Sequence, residues 1–166
     1  MGNSIKIGVI ADTHIPDRSK SIPKEILEAF KNVDMVLHAG DLVDLKVLDE
    51  LRRVCSNVKA VWGNMDPQEA RKKLNAKEII QAGRYKIGLM HGYGAPTKLV
   101  EILNEEFKND KVDVIVFGHA HSAYNEKKGE ILFFNPGSPT DKAFSPYNSY
   151  GIIEVNDKIE AKIIKI

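Results

Sequence analysis

The chain reads as a layered α/β domain with mixed β-sheets, and two patterns predict it. Short β-branched apolar runs alternate with amphipathic helical runs in the first half, and after a hairpin and one more helix the C-terminal third reads as strands only. No internal repeat, linker or low-complexity stretch interrupts residues 1–166, so a single domain is expected.

Ile5 to Ala11 is β-branched and apolar and ends in polar residues, the pattern of a buried strand. Pro23 to Lys31 places Ile26, Leu27 and Phe30 on one helical face, with Pro23 suited to the first turn. Met35 to Ala39 is a second strand, and Leu45 to Val54 a second helix with Asp44 as its N-cap. Val58 to Trp62 is a third strand, followed by a short helix from Pro67 to Leu74. Glu78 to Ala82 and Tyr85 to Met90 form a hairpin about Gly83–Arg84. Pro96 to Phe107 is a helix, and Val112 to Phe117 a buried strand. Ser122 to Lys127, Ile131 to Asn135, Tyr150 to Asn156 and Ile159 to Ile166 complete the set as strands, with turns at Lys128–Gly129 and Asn156–Asp157. The stretches 15–22 and 140–149 read as flexible loops, with Thr140 to Tyr147 able to line a cleft mouth or an interface between identical chains.

Composition narrows the function classes. Among 166 residues the formal net charge is +1, which gives no support to nucleic acid as a partner, since phosphate-backbone binding needs an excess of Lys and Arg. No run approaches the ~18 apolar residues of a membrane span. Cys55 is the single cysteine, so no disulfide or cysteine-rich zinc site can form; it reads as a buried inert thiol, and a cytoplasmic location is expected.

The chemistry concentrates at strand ends. Asp12 and His14 follow the first strand, and Asp41 follows the second, in His38-Ala39-Gly40-Asp41. Asn64 and Asp66 follow the third, in Gly63-Asn64-Met65-Asp66. His91 follows the Tyr85 strand, and His119 and His121 follow the Val112 strand, in Gly118-His119-Ala120-His121. The carboxyl edge of an α/β sheet is where ligands bind, so clusters distant in sequence can converge there. Gly40, Gly63, Gly92 and Gly118 each stand beside a candidate ligand, where glycine permits close approach.

Asp12, His14, Asp41, Asn64, His91, His119 and His121 mix nitrogen and oxygen donors, a set suited to Mn²⁺, Fe²⁺, Zn²⁺, Co²⁺ or Ni²⁺. Seven donors exceed one open tetrahedral site and suit two ions that share a carboxylate. A lone Asp or His at a strand end is more often a cap or solvated loop residue, but the combination is hard to explain that way. Gly-His-x-His adds weight, because i and i+2 of an extended segment share one face. His38, within a strand, reads as a core or supporting group. Asp66 either orients a ligating imidazole or caps the helix at Pro67. Asn135-Pro136-Gly137-Ser138 is first a turn former, though its N–H groups could lie near bound metals.

Taken together, ADTH (11–14), GD (40–41), GNMD (63–66), HG (91–92) and GHAH (118–121) resemble the calcineurin-like metallophosphoesterase superfamily across essentially the whole chain. The short length and NPGS (135–138) are similar to its small, capless YfcE/Vps29-like branch. The resemblance implies a four-layer α/β/β/α sandwich and two divalent ions, manganese the first choice. Asp12, His14 and His121 would hold one ion with Asp41, and Asp41 would bridge to a second held by Asn64, His91 and His119. It further implies hydrolysis of a small phosphate ester by a metal-bridging water or hydroxide, with Asp41, Asn64 and His91 positioning water and phosphate. Larger relatives carry His where this chain has Met65, so a good leaving group is expected, as in phosphodiesters or activated aryl esters. The alternative from the same resemblance is a catalytically weak protein-binding scaffold, whose expected sign is erosion of the ligand set.

Overall fold

The computed structural model describes residues 3–166. Strand β1 (Ile5–Ile10) shows how the layers arise, because alternate side chains leave a strand on opposite faces. Ile7 and Val9 enter a core between two sheets, whereas Ile10 joins a core beneath helices.

The first sheet adds β2 (Met35–His38), β3 (Val58–Ala60), β9 (Ser149–Val155) and β10 (Ile159–Lys165), in the order β10-β9-β1-β2-β3. β1 pairs in parallel with β2, and β2 with β3; β9 runs antiparallel to β1 and β10. Helices α1 (Lys24–Phe30) and α2 (Lys46–Val54) cover its outer face through Ile26, Phe30, Val47, Leu48 and Leu51. The second sheet contains β4 (Lys77–Ala82), β5 (Tyr85–Met90), β6 (Val114–Val116), β7 (Tyr124–Lys128) and β8 (Ile131–Asn135), in the order β4-β5-β6-β8-β7. Here β5, β6 and β8 are parallel neighbours, with β4 and β7 antiparallel at the edges. Helix α4 (Leu99–Glu106) and Phe107 cover the second sheet against Ile115, Phe117 and Phe133. Ile87, Leu89, Val114 and Val116 meet Ile7, Val9 and Leu37 between the sheets, so the layers run α/β/β/α as expected. The short α3 (Gln68–Lys73) buries only Ala70.

Each sheet seats a helix phenylalanine against a glycine in a central strand. A Cβ on Gly8 would lie 2.5 Å from the Phe30 ring, and one on Gly88 2.5 Å from the Phe107 ring. The glycines let α1 and α4 approach the sheet backbone, which brings large apolar rings into dense contact.

Some boundaries differ from expectation. The Pro96 helix opens with a 3₁₀ turn over Pro96–Lys98, and β7 starts at Tyr124 because the chain is still turning at His121, where φ is 61°. Asp44 does accept the Lys46 N–H at 2.9 Å, yet it lies one residue ahead of the cap position, Leu45. The stretches 15–22 and 140–149 are pinned at their ends, where Ile15, Ile22, Thr140, Asp141 and Ser149 are buried, while Pro16, Asp17, Lys142 and Phe144 between them are exposed. Cys55 is buried, and among the described residues no helix is long and apolar enough to cross a membrane.

Candidate metal centre

β1, β2 and β3 of one sheet and β5 and β6 of the other end at a shared edge, and the loops leaving them carry all seven candidate ligands. The loops bend sharply. Asp12, His14, Asp41, His119 and His121 all have positive φ, between 42° and 72°, a region that non-glycine residues rarely occupy. Such strain persists only where surrounding bonds over-determine it, and it concentrates at functional sites.

Here the bonds are identifiable. Asp12 N–H donates to the Gly40 carbonyl and His14 N–H to the Asp41 carbonyl, locking the first two loops together. His119 N–H donates across the sheets to Asp12 Oδ1 at 3.3 Å. Gly40 and Gly63 allow the crowding: a Cβ on Gly40 would stand 2.8 Å from His91 Nδ1, and one on Gly63 2.6 Å from the Asp41 nitrogen.

The imidazoles form two pairs. His14 and His121 have ring centroids 4.9 Å apart, and their Nε2 atoms are separated by 3.2 Å. His91 and His119 have centroids 5.4 Å apart and converge on Asn64 Oδ1, at 3.0 Å from His91 Nε2 and 3.2 Å from His119 Nδ1. Asp41 Oδ2 stands between the pairs, 3.5 Å from His14 Nε2 and 3.2 Å from His91 Nε2. Asp12 Oδ1 is 3.5 Å from His121 Nε2 and 3.9 Å from both His14 and His91 Nε2. The expected sharing of one face by His119 and His121 does not occur. Both residues are left-handed rather than extended, so their rings go to different pairs.

Backbone and carboxylate partners set the tautomers. His91 Nδ1 donates to the Ala39 carbonyl at 2.8 Å, His119 Nε2 to the Gly94 carbonyl at 2.8 Å, and His121 Nδ1 to Asp141 Oδ2 at 2.5 Å. In neutral form each ring then turns a bare nitrogen inward, as metal-binding histidines do. Asp12 Oδ2, fully buried, has no hydrogen-bond partner. A buried orphan carboxylate oxygen, beside imidazole nitrogens packed within hydrogen-bond distance of one another, fits a cation. Ligand atoms of Asp12, His14, Asp41 and His121 all lie within 4.8 Å of one another, a candidate divalent-metal cluster.

Protonation answers the same crowding. Burial alone would lower His91, but its hydrogen bond to Asp41 and the charges of Asp12 and Asp41 raise it to about 9. His14 is likewise raised by Asp12 and Asp41 against the opposing effect of burial. Burial pushes Asp41 up, but its contact with His91 and the hydrogen bond it accepts from the Met65 N–H outweigh that, holding the carboxyl below its ordinary value. A cation bound beside His91 would compete with the proton that Asp41 favours there.

Three supporting residues have definite roles. His38 is a core group: its Nδ1 accepts the Gly40 N–H at 3.1 Å and its Nε2 meets Thr13 Oγ1 at 3.0 Å, with burial pushing it down to about 3. Asp66 neither orients an imidazole nor caps α3. Its carboxylate accepts N–H groups from Gly63, Asp41 and Val43 at 2.7 to 2.9 Å, because buried backbone donors need acceptors. The Asn135–Ser138 turn braces the site from behind, with Ser138 Oγ donating to the Asp12 carbonyl and Gly137 N–H satisfied by Asn135 Oδ1. Asp141, in the 140–149 stretch, escaped sequence reasoning; the acidic residue beside Thr140 carries no spacing signal that ties it to His121.

The cleft above these groups holds about 420 Å³ and is lined by His14, Asp41, Asn64, His119 and His121 with Asp17, Arg18 and Met65. Met65 is 56% exposed at that wall and offers no proton.

Residues 5–158 match the calcineurin-like phosphoesterase superfamily domain. The chain is 39% identical to a probable metallophosphoesterase of Methanocaldococcus jannaschii, over 100% of this chain and 84% of that protein. It is 32% identical to a phosphodiesterase of the same organism, over 80% of this chain and 83% of the relative. Among solved structures, wild-type Vps29 of Entamoeba histolytica complexed with zinc superimposes with a TM-score of 0.76 at 30% identity, covering 97% of this chain and 99% of the other. A domain match over nearly the full length, with the four-layer fold and the donor cluster at its shared sheet edge, has one reading: the chain belongs to the calcineurin-like phosphoesterase superfamily.

Proposed function

We propose that this protein hydrolyses phosphate esters, phosphodiesters in preference, using water activated between two divalent cations. The observation that carries the reading is Asp41 Oδ2, one carboxylate oxygen set between the His14–His121 pair and the His91–His119 pair. Asp12, His14 and His121 would hold one cation with Asp41, and Asn64, His91 and His119 the other. The resemblance to the superfamily makes manganese the first choice, and the mixed nitrogen and oxygen donors suit nickel, iron, zinc and cobalt as well.

Cations bound there supply Lewis acidity, easing proton loss from water and neutralising charge on phosphoryl oxygens. The chain's own groups prepare the place. Ala39, Gly94 and Asp141 fix the orientation of three imidazoles through their outer N–H groups, so the rings need little reorganisation on binding. Asn64 contributes a neutral oxygen, which limits negative charge facing an anionic substrate. Met65 gives the departing oxygen no proton, which favours esters whose leaving group is stable as an anion.

The test is hydrolysis of bis-p-nitrophenyl phosphate with and without Mn²⁺, in wild type and Asp41→Asn. Turnover should require the metal and fall at least about a hundredfold in the variant. The likeness to Vps29 favours a second reading, a protein-binding scaffold with weak catalysis. Absence of metal-dependent turnover, or undiminished turnover in Asp41→Asn, would select it.

A further inference from the structure

Among the residues lining the cleft, Arg18 is the one Arg or Lys. Its backbone N–H donates to the His14 carbonyl at 2.7 Å, so its loop is tied to a candidate ligand. Its guanidinium Nη1 lies 3.8 Å from Asp141 Oδ1, near enough for attraction and too far for a hydrogen bond. Asp141 Oδ1 is instead engaged by the Ala143 and Phe144 N–H groups, and Asp141 Oδ2 by His121. The Arg18 Cζ stands 5.9 Å from the Phe144 ring centroid, and that ring lies 6.4 Å from the His121 ring. Arg18 is thus steered over the cleft by a carboxylate and an aromatic ring while its planar donor fork stays uncommitted.

The neighbouring arginine shows the contrast. Arg71 donates from Nη2 to the Asn64 carbonyl and from Nε to the Asp66 carbonyl, and its Cζ lies 4.5 Å over Trp62. Its fork is consumed in bracing the Asn64 loop, whereas that of Arg18 is not.

We propose that Arg18 is a substrate-binding residue whose guanidinium takes the non-bridging oxygens of the ester phosphate at the rim of the metal cleft. Two parallel N–H donors match two phosphoryl oxygens, a geometry in which arginine binds phosphate more selectively than a point charge. A cation at the rim also offsets the carboxylates of Asp12, Asp41 and Asp141 as an anionic substrate approaches. The inference rests on the hydrolase reading of the same cleft.

Manganese-reconstituted wild type, Arg18→Gln and Arg18→Lys are compared in two measurements: binding of inorganic phosphate by calorimetry, and steady-state hydrolysis of bis-p-nitrophenyl phosphate. Arg18→Gln should bind phosphate about tenfold more weakly and raise KM by a similar factor, with manganese content and melting temperature unchanged. Arg18→Lys should fall between, keeping the charge and losing the fork. Unchanged phosphate affinity in Arg18→Gln overturns the proposal, and so does a loss of manganese, which would mean that the residue acts through Asp141 and His121. Wild type that binds phosphate through Arg18 without turning over diester would remove the hydrolase reading and leave the anion site standing.

Discussion

Asp141 Oδ2 lies 2.5 Å from His121 Nδ1, and this contact decides which nitrogen of His121 faces the cleft. The same carboxylate is fully buried and anchored by the Ala143 and Phe144 N–H groups, so the ring it holds is set by the fold.

Asp141→Asn should therefore weaken metal binding about 10- to 100-fold while leaving the fold intact. The amide keeps an oxygen for the two N–H groups but turns its NH2 towards His121 Nδ1, removing the acceptor that fixes which nitrogen of His121 faces the cleft. Manganese titration followed by electron paramagnetic resonance measures the loss. An affinity equal to wild type would show that the Asp141 contact is incidental.

Metal uptake should depend on pH through His91. Its pKa, raised to about 9 by the Asp41 hydrogen bond and the charges of Asp12 and Asp41 against burial, means that a cation must displace a proton at neutral pH. Apparent manganese affinity should climb about tenfold per pH unit from about pH 7 towards 9. Stability of the chelated protein moves the other way. The folded value lies above the ordinary 6.5, so the His91 contribution is full below 6.5 and is lost as pH rises through about 9. Asp41, held below its ordinary value, contributes above the unfolded carboxylate range and loses that contribution as pH falls through its folded value. Titrations and thermal melts across this range check both arms; a flat affinity profile would contradict them.

Met65→His places an imidazole at the wall where the cleft lacks a proton donor. Hydrolysis of diesters with poor alkoxide leaving groups should accelerate about a hundredfold, while p-nitrophenyl esters gain little. The ratio of the two rates is the readout, and equal gains on both would argue against a leaving-group role.

Much of this was legible in the residues. β-branched apolar runs such as Ile5–Ala11 mark buried strands because such side chains suit a sheet covered on both faces, and Asp, Asn and His after such runs mark an edge rich in donors. The sharing of labour between His119 and His121 was not legible. It depends on left-handed backbone at both positions, enforced by bonds such as His119 N–H to Asp12 Oδ1 from a strand 107 residues away.

The seven metal-ligand candidates and their order along the strands are properties of the chain alone, because donor chemistry belongs to residue type and strand ends follow from apolar period. Which carboxylate serves which partner was decided only when the two sheets closed. Asp66 went to the backbone N–H groups of Gly63, Asp41 and Val43, and Asp141, from a polar loop, went to His121. The physical reason is that a buried donor takes whatever acceptor packing brings within reach, and that reach is a distance in space with no counterpart in sequence.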